Sequence, residues 1–186
     1  MKNKFNIETE EYYISNDYDM NHKSYIYGEI DSQSFIDIII DYNIYNKSFL
    51  DIGSGCGRLI LSLIPISNKY NMLLSGIEII KYRYDKSLNL LNEIIQKNND
   101  NILNEIEFIN SSFDNIYLGN YDIIYCCNMV FEKIDNNKLF DKIINEFQGY
   151  LFLFQYNDIL KPYFYKEYKV NTSWSKDVAL YMFIIF

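Results

Sequence analysis

Phe49-Leu50-Asp51-Ile52-Gly53-Ser54-Gly55-Cys56-Gly57-Arg58 combines an apolar strand, a turn with three alternate glycines, and the start of a helix carrying Leu59, Ile60, Leu61, Leu63 and Ile64. Glycine at a strand-to-helix turn opens backbone angles closed to other residues and lets a ligand lie directly against the main chain. The expected guest is an adenosine-containing cofactor.

Outward from this turn, strand-like and helix-like segments alternate. A helix is predicted over Ser34–Tyr45, a strand over Phe49–Ile52, a helix over Arg58–Ile66, a strand over Met72–Ile79 and a helix over Tyr82–Gln96. Strands follow at Ile106–Ile109, Tyr121–Cys126 and Tyr150–Gln155, with a helix over Lys138–Phe147 between the last two. Alternation of this kind implies parallel pairing through right-handed crossovers. Tyr165–Val170 and Val178–Phe186 have no helix between them, so an antiparallel hairpin should close the sheet. The expected fold is a three-layer α/β sandwich, Rossmann-like, with a mostly parallel seven-stranded sheet flanked by helices.

With 186 residues, 49 % of them hydrophobic, the chain is sized for one domain. That domain is placed at 25–186, behind an N-terminal arm, 1–24, acidic around Glu8, Glu10, Glu11, Asp17 and Asp19. Asn-rich patches such as Gln96-Lys97-Asn98-Asn99-Asp100-Asn101 suggest a loop. A net charge of −8 disfavours a protein gripping nucleic acid over a broad basic face, so weak or no intrinsic DNA binding is expected. No secretory signal or membrane span is predicted, and the expectation is a soluble intracellular protein. Cys56, Cys126 and Cys127 form no C-x-x-C pair, and His22 is the one histidine. A zinc site or a Ser-His-Asp machine therefore lacks its usual parts, and no metal is expected.

Two cofactor classes fit a glycine-rich turn. A dinucleotide fingerprint, G-x-G-x-x-G, would place its third glycine where Arg58 stands, and its strand would be apolar at Asp51. The run Asp51-x-Gly53-x-Gly55-x-Gly57 instead resembles motif I of the class I S-adenosylmethionine-dependent methyltransferases. Glu78, ending Gly76-Ile77-Glu78 on the second strand, matches the acid that takes the ribose diol in that family. The series Tyr27-Gly28-Glu29, Gly76-Ile77-Glu78, Ser112-Phe113, Asn128-Met129-Val130-Phe131, Ser173-Trp174 and Tyr181 further resembles the catalytic core of the non-SET histone-lysine methyltransferases, the disruptor-of-telomeric-silencing family, from about Tyr25 to Phe186.

The resemblance implies S-adenosylmethionine as cofactor and S-adenosylhomocysteine as product. Tyr27, Gly28 and Glu29 would fold over the cofactor. Asp51, Gly53, Ser54, Gly55, Gly57 and Glu78 would hold its methionine and ribose ends, and Ser112 and Phe113 its adenine. Asn128, Trp174, Tyr181 and Tyr27 would form the catalytic wall, with Trp174 and Tyr181 lining a lysine channel. The implied substrate is a lysine of a core histone, such as the globular core of histone H3, or of a histone-like protein or nucleosome. The location would be the nucleus if that substrate is chromatin and otherwise the cytoplasm. Cys127 stands where the family has the first of two asparagines, Ser112 where many relatives have aspartate, and Ile30 where they have a small polar residue. Methylation of a non-histone protein, a small molecule or RNA is an alternative, as is a catalytically silent binding module.

Overall fold

The structure, a computed structural model, describes residues 28–97 and 105–186. The predicted acidic arm, Tyr27 and most of the Asn-rich loop lie outside the described residues. Seven strands form one sheet: β1 (Ser48–Ile52), β2 (Leu73–Glu78), β3 (Ile106–Asn110), β4 (Ile123–Cys126), β5 (Gly149–Leu153), β6 (Phe164–Val170) and β7 (Val178–Ile185). Their order is β3-β2-β1-β4-β5-β7-β6. The first five pair in parallel, while β7 runs antiparallel between β5 and β6. The mostly parallel sheet and its terminal hairpin follow the expectation from sequence.

Central strands are apolar almost throughout because both faces are covered. On one face Phe49, Leu74, Phe108, Tyr125 and Phe152 pack under α1 (Ser32–Ile39), α2 (Arg58–Ser62), α3 (Ile64–Tyr70) and α4 (Lys81–Lys97). On the other, Leu50, Ile52, Ile77, Ile124 and Leu151 meet Leu139, Phe140 and Ile143 of α5 (Lys133–Glu146). The outer strand β6 is largely exposed and carries Lys166, Glu167 and Lys169, charges that discourage edge-to-edge pairing. Among the described residues no helix is long and apolar enough to cross a membrane.

Several boundaries differ from the periodicity reading. The helix expected over Arg58–Ile66 is two helices, because Pro65 lacks the N–H that a continuous helix would need and sits in the first turn of α3. The first helix begins earlier, where Asp31 caps it by accepting from the Ser34 N–H at 2.9 Å, and it ends at Ile39. The helix expected from Lys138 starts at Lys133, since Asn136 and Leu139 are already buried on its inner face.

Candidate active site

The parallel strands deliver their carboxyl ends to one edge of the sheet, where open α/β sheets bind ligands. The chain leaves β1 through Gly53, Gly55 and Gly57, with φ of 77°, 56° and 78°. Gly53 and Ser54 both donate backbone N–H bonds of 2.9 Å to the Ile77 carbonyl, and Gly57 donates one of 2.8 Å to Ser54, so the turn is locked against β2. Gly57 leaves no choice of residue: a Cβ there would lie 2.5 Å from a ring carbon of Phe108.

Glu78, at the end of β2, braces this turn. One carboxylate oxygen accepts from the Gly55 N–H at 2.9 Å and the other from the Ile80 N–H at 2.8 Å. Burial pushes its carboxyl above the usual range, against the opposing pull of these N–H groups and of the Arg83 guanidinium. Each oxygen keeps a lone pair, so a vicinal diol can still be accepted from the cleft.

That cleft has a volume of about 500 Å³ and is lined by Gly53, Glu78, Phe113, Phe131, Cys127 and Trp174 among others. Phe113 and Phe131 lie nearly parallel, 17° apart with centroids at 6.4 Å. Ser112 borders the cleft, but its hydroxyl caps the following turn, accepting from the Asp114 N–H at 3.3 Å and donating to the Asp114 carboxylate at 3.0 Å. Cys127 is a thiol at neutral pH, because burial foremost, and the Asp51 carboxyl, push it up to about 12.

The other wall joins two segments far apart in the chain. Glu29 donates its N–H to the Ser173 hydroxyl at 3.1 Å and accepts the Ser173 N–H at 2.8 Å, while Asp31 donates to the Asn171 carbonyl at 2.8 Å. Gly28 lies so close to Trp174 that a Cβ would stand 2.6 Å from the indole. The Glu29 carboxylate bonds the Arg58 guanidinium at 2.9 Å, tying this wall to the residue after the glycine turn. Trp174 meets Phe154 edge to face, with centroids 6.0 Å apart.

Other candidates lie elsewhere. Asn128 is fully buried and its amide is consumed: its oxygen accepts the N–H groups of Phe154 and Gln155, each at 3.0 Å. Its nitrogen donates to Asn136 at 2.6 Å and to the Gln155 carbonyl at 2.9 Å. The expectation of a reacting group is corrected to a bracket joining the loops after β4 and β5 to α5. Tyr181 does not share a channel with Trp174. Strand alternation turns it with Phe183 toward the α5 face, where it packs on Tyr156 at 4.8 Å, whereas Phe154 and Trp174 belong to the opposite face. Ser54 is buried with its hydroxyl over Gly76. Asp51 is 3 % exposed, and its Oδ1 finds no hydrogen-bond partner among the described residues.

Arg83 and Asp114 line the cleft without having been expected. Arg83 is a guanidinium buried to 5 % exposure on a helix whose other buried residues are Ser87 and Ile94, and only the fold reveals that it reaches Glu78. Asp114 directly follows Ser112-Phe113, so its proximity was readable, its orientation not.

The sheet order, terminal hairpin and cleft at the carboxyl edge are those of the class I S-adenosylmethionine-dependent methyltransferase fold. Solved structures of that class superpose on the chain. An RNA methyltransferase from Salinibacter ruber in complex with S-adenosylhomocysteine matches with TM-score 0.57 and 14 % identity over 81 % of this chain and 90 % of that one. Magnesium protoporphyrin IX methyltransferase from Synechocystis PCC 6803 with bound S-adenosylmethionine matches with TM-score 0.62 and 15 % identity, over 82 % and 79 %. A cyclopropane synthase from Mycobacterium tuberculosis matches with TM-score 0.51 and 16 % identity over 65 % of this chain, which spans 41 % of the synthase. No protein-family model matches the sequence, and no curated protein matches it. Identities this low establish the fold alone.

Proposed function

We propose that the protein is an S-adenosylmethionine-dependent methyltransferase whose acceptor is a lysine amine of a core histone or histone-like protein. The fit of the cofactor rests on this chain's own groups. Glu78 borders the cleft with oxygens able to accept a ribose diol, Phe113 and Phe131 offer apolar faces to an adenine, and Asp51 Oδ1, which has no hydrogen-bond partner among the described residues, lies beside the glycine turn and suits an ammonium. Two solved neighbours hold this cofactor or its product. Replacing Glu78 with Gln should weaken S-adenosylhomocysteine binding roughly ten- to a hundredfold, the value of a lost charge-assisted bond. Titration calorimetry checks this, and unchanged affinity would remove Glu78 from the site.

The observation that carries the acceptor reading is the lacing of Gly28-Glu29 to Ser173-Trp174, since these motifs of the resemblance lie 144 residues apart and become one wall. S-adenosylmethionine, when bound, supplies the methyl group. The protein's task is then to align an uncharged amine in line with it and exclude water. Trp174, which lines the cleft and is backed edge to face by the buried Phe154, offers an apolar flank that favours loss of the lysine proton and attracts cationic methylamines by its ring face. No dedicated base is needed for that chemistry. The net charge of −8 favours a basic protein partner over RNA.

Labelled S-adenosylmethionine incubated with histones and nucleosomes should deposit label on lysine. Trp174→Ala should lower transfer by about a hundredfold through loss of alignment while S-adenosylhomocysteine affinity stays within a few-fold. Label appearing on RNA or a small molecule instead would overturn the lysine reading, and cofactor binding without any transfer would favour a silent module.

A further inference from the structure

Three buried polar atoms without hydrogen-bond partners among the described residues gather at one place: Asp51 Oδ1, Ser54 Oγ and Tyr125 Oη. The sheet register explains why they meet. Asp51 faces Gly76 on β2 and Tyr125 on β4, so the three residues form one row across β2, β1 and β4 on the same face. Gly76 contributes no side chain, and the Ser54 hydroxyl occupies that space, 2.8 Å from where a Cβ would stand. The neighbour of the Tyr125 hydroxyl is the Cys127 thiol, a poor hydrogen-bond partner. Cys127 and Gly53 line the cleft directly beside this row.

A tyrosine at this position is costly without a partner. Its ring packs between Phe35 at 5.0 Å and Phe154 at 6.2 Å, contacts a phenylalanine would keep equally well, so packing does not account for the hydroxyl. Leaving a buried hydroxyl unpaired opposes folding. Atoms of this kind are expected where a ligand, rather than the protein, completes the hydrogen bonding.

We propose that the Tyr125 hydroxyl is a cofactor-binding group that completes the methionine-end subsite. It donates to the carboxylate of the cofactor's amino-acid end while Asp51 Oδ1 accepts from its ammonium, with Ser54 Oγ on the far side of Asp51, over β2. The inference rests on the cofactor reading given above, and it adds a binding residue to it. The zwitterion presents one acceptor and one donor group, and the row offers one of each in matching sequence.

The test is Tyr125→Phe, measured by calorimetry with S-adenosylhomocysteine and with 5′-methylthioadenosine, which lacks the amino-acid end, together with thermal unfolding of the unliganded protein. S-adenosylhomocysteine affinity should fall about ten- to a hundredfold. Methylthioadenosine affinity should stay unchanged, and the melting temperature should hold or rise. Unchanged S-adenosylhomocysteine affinity, as when a trapped water occupies the row, would overturn the proposal. So would an equal loss for both ligands, or a lowered melting temperature, since each assigns the hydroxyl to the fold. Failure of the parent protein to bind either ligand would instead sink the cofactor reading itself.

Discussion

Gly57→Ala is expected to be the most destabilising conservative change in the cofactor site, costing about 2–6 kcal/mol. A non-glycine residue held at positive φ costs about 1–3 kcal/mol, and an overpacked contact costs about 1–3 kcal/mol more. Both causes are present: φ is 78°, and the added Cβ would stand 2.5 Å from the Phe108 ring and 2.9 Å from the Ser87 Cβ. At about 2–4 °C per kcal/mol for a chain of this size, the melting temperature should fall by at least several degrees. Phe108→Leu in the same protein should recover part of the loss by making room. No recovery, or a loss below about 1 kcal/mol, would mean that the turn relaxes and that Gly57 is not pinned between β1, β3 and α4.

Asp51→Asn should separate stability from binding. Burial foremost, then the neighbouring Glu78 and Glu29, raises the Asp51 carboxyl well above the usual carboxylate range. The folded protein thus holds this proton more tightly than the unfolded chain does. The corresponding stability is present below the ordinary carboxylate pKa of about 3.9 and drains away as pH climbs from there through the raised folded value. Asparagine carries no such proton, so the variant's advantage should grow across that window and then level off. We expect the unliganded variant to melt higher at neutral pH by a few degrees, and S-adenosylhomocysteine affinity to fall by about a hundredfold, because a charged partner for the ammonium is gone. Unfolding followed from pH 4 to 8, with calorimetry at neutral pH, reads both. A variant that melts lower would show that Oδ1 has a partner in the unliganded protein.

The two variants also mark where sequence suffices. The glycine turn was legible because its physics is local: the strand, the acid, the alternate glycines and the helix start are contiguous, and Glu78 follows at the end of the next strand. The hairpin finish was legible because nothing helical separates β6 from β7. What was not legible depends on register. Tyr125 looks like an ordinary strand aromatic until β4 is set beside β1, where it pairs with Asp51 in the same row. Tyr181 sits seven residues after Trp174, yet spacing cannot say which face of β7 it takes, and the packing against Tyr156 and Phe183 turns it to the α5 side. Asn128 resembled a reacting group because its motif is adjacent to the cleft. Its four hydrogen bonds to Asn136, Phe154 and Gln155 come from segments that meet only in three dimensions. The split between α2 and α3 was written in Pro65 itself.

The lacing of Glu29 to Ser173 sets an order of assembly. The glycine turn, Glu78 and the Ser112 loop close through neighbouring strands β1, β2 and β3, whereas the Gly28–Trp174 wall must wait until Glu29 and Ser173, 144 residues apart in the chain, have been drawn together. Closing so long a loop costs entropy that only a formed sheet repays. A refolding chain should therefore gain a nucleoside-binding surface before it gains an acceptor wall. In pulse-labelled hydrogen exchange, protection at Gly55 should precede protection at Glu29 and Ser173.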